Sequence, residues 1–292
     1  MKLAKFWSRQ AGEARDADGE LTRVVVRGWS NESPEAAAAA ARENARNVAQ
    51  KLASGTIEGK QYGYGDRPLP EPLVREFRDT TETPNAVITR NSYGSLVMNA
   101  RDLMFVDIDR ENVQHVGAIA QNLMSSVFSL FSKPAAQPTP APQPVDSVVD
   151  GIQKVAARNG LAVRVYKTAA GYRAMVVNAG FDPGSTRSEE VLKEFGSDPL
   201  YVRLCKMQQS FRARLTPKPW RCNLGTPPVT FPFETADAEQ RFQQWVRQYT
   251  AKIAVYATCK HLASFGDSHE AFAELIEYHD QETKATSILP LA

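Results

Sequence analysis

Several features that would announce a common function are missing from this chain. Its three cysteines, Cys205, Cys222 and Cys259, are an odd set at wide spacing with no CxxC pair. That argues against a disulfide framework or a thiolate zinc site and fits free thiols in a reducing compartment. His261, His269 and His279 are too dispersed for an HxxxH or HExxH metal motif, and structural histidines are expected. No Walker loop or dinucleotide fingerprint is present, and spacing supports no Ser-His-Asp arrangement. No segment approaches the roughly 18–20 apolar residues of a membrane span. The basic start, Met1-Lys2-Leu3-Ala4-Lys5-Phe6-Trp7, meets Ser8-Arg9-Gln10 before any apolar run of signal-peptide length. A cytoplasmic location with no membrane partner is therefore expected. Charge of one sign is missing too: net charge is +2 and the pI about 8.4, so only local clustering can argue for nucleic acid.

The 292 residues exceed the usual size of one domain, and 42% apolar with 23% charged residues is enough for a substantial core. Residues 1 to about 20 read as polar and loose. Leu21–Trp29 contains Val24-Val25-Val26, a strand. Ser33-Pro34-Glu35 supplies an N-cap followed by Pro at the first helical position, and an Ala-rich helix runs from there to about Ala53, stopping at Gly55. Ala86–Thr89 and Ser95–Ala100 flank Arg90-Asn91-Ser92-Tyr93-Gly94 as a hairpin. A helix is expected from about Glu111 to Phe131, then a Pro-rich linker over 133–145, then a helix over about Ser147–Arg158. Leu161–Lys167 and Tyr172–Val177 form a second hairpin around Thr168-Ala169-Ala170-Gly171. Helices between Ser188 and Gln208, a strand at Phe211–Leu215 and two closing helices (about Ala236–Ala263 and His269–Lys284) complete the chain. Phe242, Trp245, Tyr249, Ile253 and Tyr256 repeat at helical spacing as a packing stripe.

These elements predict an α+β protein in three parts. Residues 1–85 form an N-terminal αβ region. Residues 86–235 form a core with the strand-helix order βαββαβ of RRM-like and ferredoxin-like domains. Residues 236–292 form a helical pair packing on that core.

Leu103-Met104-Phe105-Val106-Asp107-Ile108-Asp109 is an apolar strand ending in two carboxylates. Strand alternation puts Asp107 and Asp109 on one face, about 7 Å apart by strand rise. Two readings are open: a divalent-metal site that accepts phosphate, or a strand emerging into solvent. Lys167 and Arg173 flank the small-residue turn, which either cradles phosphate or is an ordinary hairpin end. From Asp198 to Arg221 one acid stands against six bases, Arg203, Lys206, Arg212, Arg214, Lys218 and Arg221. Arg212 and Arg214 share a strand face, so phosphate or the protein's own carboxylates must sit opposite them. Phe211, Leu215 and Trp220 read as core.

Together, Phe105-Val106-Asp107-Ile108-Asp109, Asp198, Tyr201, Phe211-Arg212 and Lys218 resemble the catalytic core of the archaeo-eukaryotic primase superfamily, which includes primase-polymerases. The resemblance spans about residues 86–221. Its second motif departs from the family, because Gly171-Tyr172-Arg173 stands where a nucleotide-contacting histidine would be. The resemblance implies a metal-dependent nucleotidyltransferase, or a degenerate relative that binds nucleotide or nucleic acid. Asp107, Asp109 and Asp198 would then hold Mg²⁺ or Mn²⁺, and Lys167, Arg173, Arg212, Arg214 and Lys218 would neutralise a nucleotide triphosphate and a nucleic-acid backbone. The rival expectation is a non-enzymatic module, binding nucleic acid or protein, whose acids and bases form structural salt bridges.

Overall fold

A computed structural model describes residues 1–15, 18–55, 67–109 and 147–292. The helix expected over 111–131 and the Pro-rich linker over 133–145 lie outside the described residues.

The chain starts with two strands, β1 (Phe6–Arg15) and β2 (Leu21–Ser30), paired antiparallel from Phe6↔Ser30 to Arg15↔Leu21. The start is therefore not loose; the partner strand supplies the order that its own polar sequence does not. Helix α1 (Pro34–Ala53) covers this hairpin. The Ser33 side chain caps it by accepting from the Ala36 N–H, and Pro34 occupies the first turn. Gly28 of β2 lets α1 approach closely, since a Cβ there would lie 2.1 Å from the Ala41 nitrogen.

Strands β3 (Leu73–Arg78), β4 (Pro84–Arg90) and β5 (Leu96–Ala100) follow as an antiparallel meander. The expected hairpin over 86–100 is present. Strand β3 pairs with β4, so the boundary drawn at residue 85 cuts through a sheet and is not a domain edge. Strand β6 (Phe105–Asp109) opens a second sheet. Helix α2 (Ser147–Arg158) precedes the hairpin of β7 (Val163–Thr168) and β8 (Gly171–Val176). Then come α3 (Thr186–Glu194), α4 (Pro199–Gln208), β9 (Phe211–Arg214), α5 (Ala236–Ile253), β10 (Cys259–Phe265) and α6 (Ala273–Thr283).

The described residues thus form an α+β fold of six helices and three antiparallel sheets: β1-β2, β10-β7-β8-β6 and β3-β4-β5-β9. Two departures from expectation have clear causes. First, β9 pairs with β5, through Val97↔Arg214 and Asn99↔Arg212, rather than with β6. The free edge of β6 is taken by the start of α4 instead. The Phe105 carbonyl accepts from the Tyr201 hydroxyl, and the Asp107 carbonyl accepts from the Asp198 N–H and the Ser197 hydroxyl. An edge strand covered in this way has no ladder left to offer a fourth strand. Second, the C-terminal part is not a helical pair. Cys259–Phe265 extends the central sheet by pairing with β7, with a register shift between His261 and Ala263. Backbone groups on the β7 edge need partners, and that demand overrides the local helical pattern.

The core is continuous across both four-stranded sheets. Phe105, Ile108, Tyr166, Met175, Phe195, Phe211, Ile88 and Met98 are all fully buried within it. Of the expected stripe, Phe242, Trp245 and Tyr249 are buried, and the indole and phenol rings of Trp245 and Tyr249 stack at 4.9 Å.

Candidate functional site

In the β6–β8–β7–β10 ladder, Asp107, Arg173, Tyr166 and His261 stand opposite one another in register, so they share a sheet face. Asp109 lies on the same face, opposite Gly171. Helix α6 lies on that face, with the His279 ring 5.6 Å from Phe105 and 4.9 Å from Tyr166. Where β6 meets β9, a cleft of about 260 Å³ opens. Asp107, Arg173, Arg212, Arg214, Tyr201, Glu71 and Tyr93 are among its lining residues.

The predicted acids do not form one cluster. Asp198 does come beside Asp107, through the N–H to carbonyl bond of 3.0 Å. Its carboxylate, however, caps α4 by accepting from the Leu200 N–H at 3.0 Å. Among the described residues no group of three acidic, histidine or cysteine side chains is placed to hold a metal ion. Two carboxylates on one strand face suit a Mg²⁺ that arrives with phosphate oxygens, since that ion is commonly held by one or two carboxylates plus substrate. Asp107 and Asp109 share the strand face such an ion would need, whereas the Asp198 carboxylate is turned to its helix cap. Among the described residues no hydrogen bond or ion pair engages the Asp107 carboxylate.

The predicted cations separate into three groups. Lys167 pairs across the hairpin with Tyr172, on the face opposite Arg173, and its ammonium lies 3.6 Å over the Tyr172 ring. It cannot share a ligand with Arg173. The turn between them is closed by the Thr168 hydroxyl, which accepts from the Gly171 N–H at 3.0 Å and the Ala170 N–H at 3.4 Å, so those amides are already engaged. Arg212 is committed internally. Its guanidinium donates to both Glu71 oxygens, at 2.8 and 3.0 Å, and to Asn99 Oδ1, with both charged side chains under a tenth exposed. Thr89 donates to the same carboxylate, and Asn99 Nδ2 bonds Thr89 in turn.

Arg173, Arg214 and Lys218 form the third group, around the cleft. Arg173 is 4% exposed and donates to the Arg214 carbonyl at 3.0 Å and to His279 Nε2 at 3.1 Å. Arg214 has a buried Nε without a hydrogen-bond partner among the described residues. Burial lowers the Lys218 pKa, and the charges of Arg214 and Arg221 lower it further. Asp109 and Asp107 oppose this, which places all five charges in one neighbourhood.

Sequence reading missed the group behind Arg173. His279 is fully buried, and its Nδ1 bonds Asp280 at 2.9 Å while Nε2 faces the Arg173 N–H. An arginine can only donate, so Nε2 accepts and Nδ1 carries the proton. Burial, with Arg173 and Arg164 nearby, lowers the His279 pKa from 6.5 to about 4, so the ring is neutral at physiological pH. Burial raises the Asp280 pKa, but the His279 and Tyr166 hydrogen bonds and the Arg164 charge outweigh it and leave the carboxyl net lowered. Arg164 also pairs with Asp280 at 2.6 Å. Expecting a structural histidine at 279 was right, but nothing local in the sequence tied it to Arg173.

Two other expectations change. Trp220 is 51% exposed rather than core, whereas Phe211 and Leu215 are fully buried. Tyr201 is a strut: burial holds its pKa well above the usual phenol value, and its hydroxyl is fixed to the Phe105 carbonyl. All three cysteines are free and buried, and among the described residues no helix is long and apolar enough to cross a membrane. Compared with known proteins, the chain matches no family model, no curated protein and no solved structure.

Proposed function

We propose that the cleft between β6 and β9 binds the phosphates of a nucleotide, and that the chain is a degenerate relative of the primase-polymerases. One observation carries the reading. Asp107, whose carboxylate has no hydrogen bond or ion pair among the described residues, lines one cleft with Arg173 and Arg214, and Lys218 stands close enough to feel its charge. Cations lining a partly dry cleft suit phosphate oxygens, which accept charge-assisted hydrogen bonds from guanidinium and ammonium groups. Asp107 and Asp109 would hold a Mg²⁺ or Mn²⁺ ion brought in with a triphosphate, and that ion would neutralise phosphate charge. Arg173, fixed by His279, and Arg214 and Lys218 supply the remaining positive charge. The order β7-β8-β6, with α2 ahead of the hairpin, supports a split βαβ module whose expected fourth strand has moved to the neighbouring sheet.

One observation favours the rival reading at one position. The buried Arg212–Glu71 pair is the internal salt bridge that a non-enzymatic module would use. It removes Arg212 from the ligand set and leaves the cleft cations in place.

Calorimetric titration of the full chain with a magnesium–nucleoside triphosphate tests the proposal. Binding is expected to need the metal, and Asp107→Asn should weaken it by about tenfold or more, the scale of one lost charged contact. Circular dichroism should show the variant folded, since among the described residues the carboxylate makes no hydrogen bond or ion pair and loses only its longer-range attraction for the Lys218 charge. Absence of nucleotide affinity, or equal affinity in the variant, would refute the reading. Primer extension on a template, measured separately, decides whether nucleotidyl transfer survives.

A further inference from the structure

Beside the same cleft stands an aromatic pair, a half-buried Tyr93 that lines it and a half-exposed Trp220 that packs on Tyr93. Trp220 lies in a short 3-10 turn, Pro219–Cys222, and is 51% exposed. Tyr93, in the β4–β5 turn, meets it at 5.2 Å with ring planes at 63°. Tyr93 is also a lining residue of the cleft. The Lys218 ammonium lies 5.4 Å from the Trp220 ring, with Arg214 and Arg221 close enough to lower its pKa.

Both carriers of the pair are rigid. In the β4–β5 turn, Asn91 accepts from the Gly94 N–H, and Arg90 donates to the Gly94 carbonyl at 2.6 Å. Gly94 has φ +93, and a Cβ there would fall 2.2 Å from the Trp245 ring. The Pro217 carbonyl accepts from both the Ser95 and Tyr249 hydroxyls, which joins the segment before Trp220 to the strand that carries the turn. Asn223, left-handed at φ 54, ends the 3-10 turn, while Cys222 anchors it in the core.

We propose that Trp220 and Tyr93 form a stacking platform for an unpaired base of a single-stranded nucleic acid, with Lys218, Arg214 and Arg221 following its phosphates. This deepens the reading of the cleft and rests on it for the direction in which the strand runs. A large, half-exposed ring beside cations is the combination that binds single strands without reading sequence, because every base offers a face and every nucleotide a charge. A duplex keeps its bases stacked inside and offers no such face to a side-chain ring. The cation cluster selects an anionic polymer over an apolar partner.

Fluorescence anisotropy of the full chain with labelled oligothymidine and oligouridine tests the platform. Trp220→Ala should weaken binding by about 5- to 100-fold, the usual effect of removing one base–aromatic stack, and Trp220→Phe should restore most of it. Lys218→Gln should flatten the fall of affinity with salt. Circular dichroism of Trp220→Ala confirms that a half-exposed ring was removed without unfolding. Equal affinity in wild type and Trp220→Ala, or equal competition by a duplex of the same length, would overturn the platform. Mononucleotide titration of the wild type runs beside it. Oligonucleotide loss at Trp220→Ala with no mononucleotide affinity leaves the platform standing and sinks the cleft reading. Mononucleotide affinity with no oligonucleotide loss does the reverse.

Discussion

Removing the Glu71 carboxylate should unfold the chain more readily, because it strands the Arg212 charge. Glu71 and Arg212 are 7% and 9% exposed at their side chains, and the contact is two-pronged. In Glu71→Ala the guanidinium keeps only Asn99 Oδ1, and the Thr89 hydroxyl loses its acceptor. Leaving one member of such a buried pair uncompensated costs about 3–5 kcal/mol. That is a large share of the roughly 5–15 kcal/mol by which a folded protein is stable. At about 2–4 °C per kcal/mol for chains approaching this size, the melting temperature should fall by on the order of 10 °C. Urea unfolding followed by circular dichroism measures the loss, and Arg212→Ala should match it. Glu71→Leu combined with Arg212→Met should recover much of it, because neither charge is then stranded. If Arg212→Ala instead unfolds at the wild-type urea midpoint while nucleotide affinity drops, the separation of Arg212 from the cleft is wrong.

Two more perturbations test the packing behind the cleft. His279 titrates near pH 4 when folded and near 6.5 when unfolded, so the unfolded chain binds the extra proton first as pH falls. Stability should therefore be full above about pH 6.5 and decline by about 3 kcal/mol on the way down to pH 4, a decline that His279→Gln flattens. Asp280, whose folded pKa lies below 3.8, adds its own loss only beneath that window, and melts of both forms across the pH range check the difference. Gly28→Ala places a methyl 2.1 Å from the Ala41 nitrogen and 2.5 Å from the Ala37 carbonyl oxygen, so α1 must lift from its hairpin. A loss of about 1–3 kcal/mol is expected; retained protection of α1 against protease would contradict it.

What could be read from the chain follows from how local each signal is. Ser33-Pro34 announced α1 because capping and a preset φ act within one turn. The β4–β5 and β7–β8 hairpins announced themselves by alternation and small turn residues. Strands β1 and β10 did not. Each is ordered by a partner elsewhere, β2 and β7, and no residue inside either strand encodes that pairing. Asp198 is the instructive case. Asp198-Pro199 is the same cap-then-proline signal as Ser33-Pro34, and it makes the same structure, an N-cap and a first helical residue. A local capping signal should have outweighed a distant resemblance.

The two arginines of β9 mark the limit of sequence reading at the site. Arg212 and Arg214 are two apart, share a strand face and are chemically identical, yet their fates differ. Across the ladder Arg212 faces Asn99, with Glu71 reaching in from a proline-flanked loop, and its charge is fully answered. Arg214 faces Val97, which offers no acceptor, so its Nε stays unpartnered among the described residues. The acceptors within reach, Asn99 and Glu71 for Arg212 and none for the Arg214 Nε among the described residues, thus decide which cation is structural and which is available to a ligand. Val97→Asn is the change that should move Arg214 from the second state to the first. With an amide oxygen opposite, as Arg212 has, that guanidinium gains an internal acceptor, and nucleotide affinity should drop although no cleft charge has been removed.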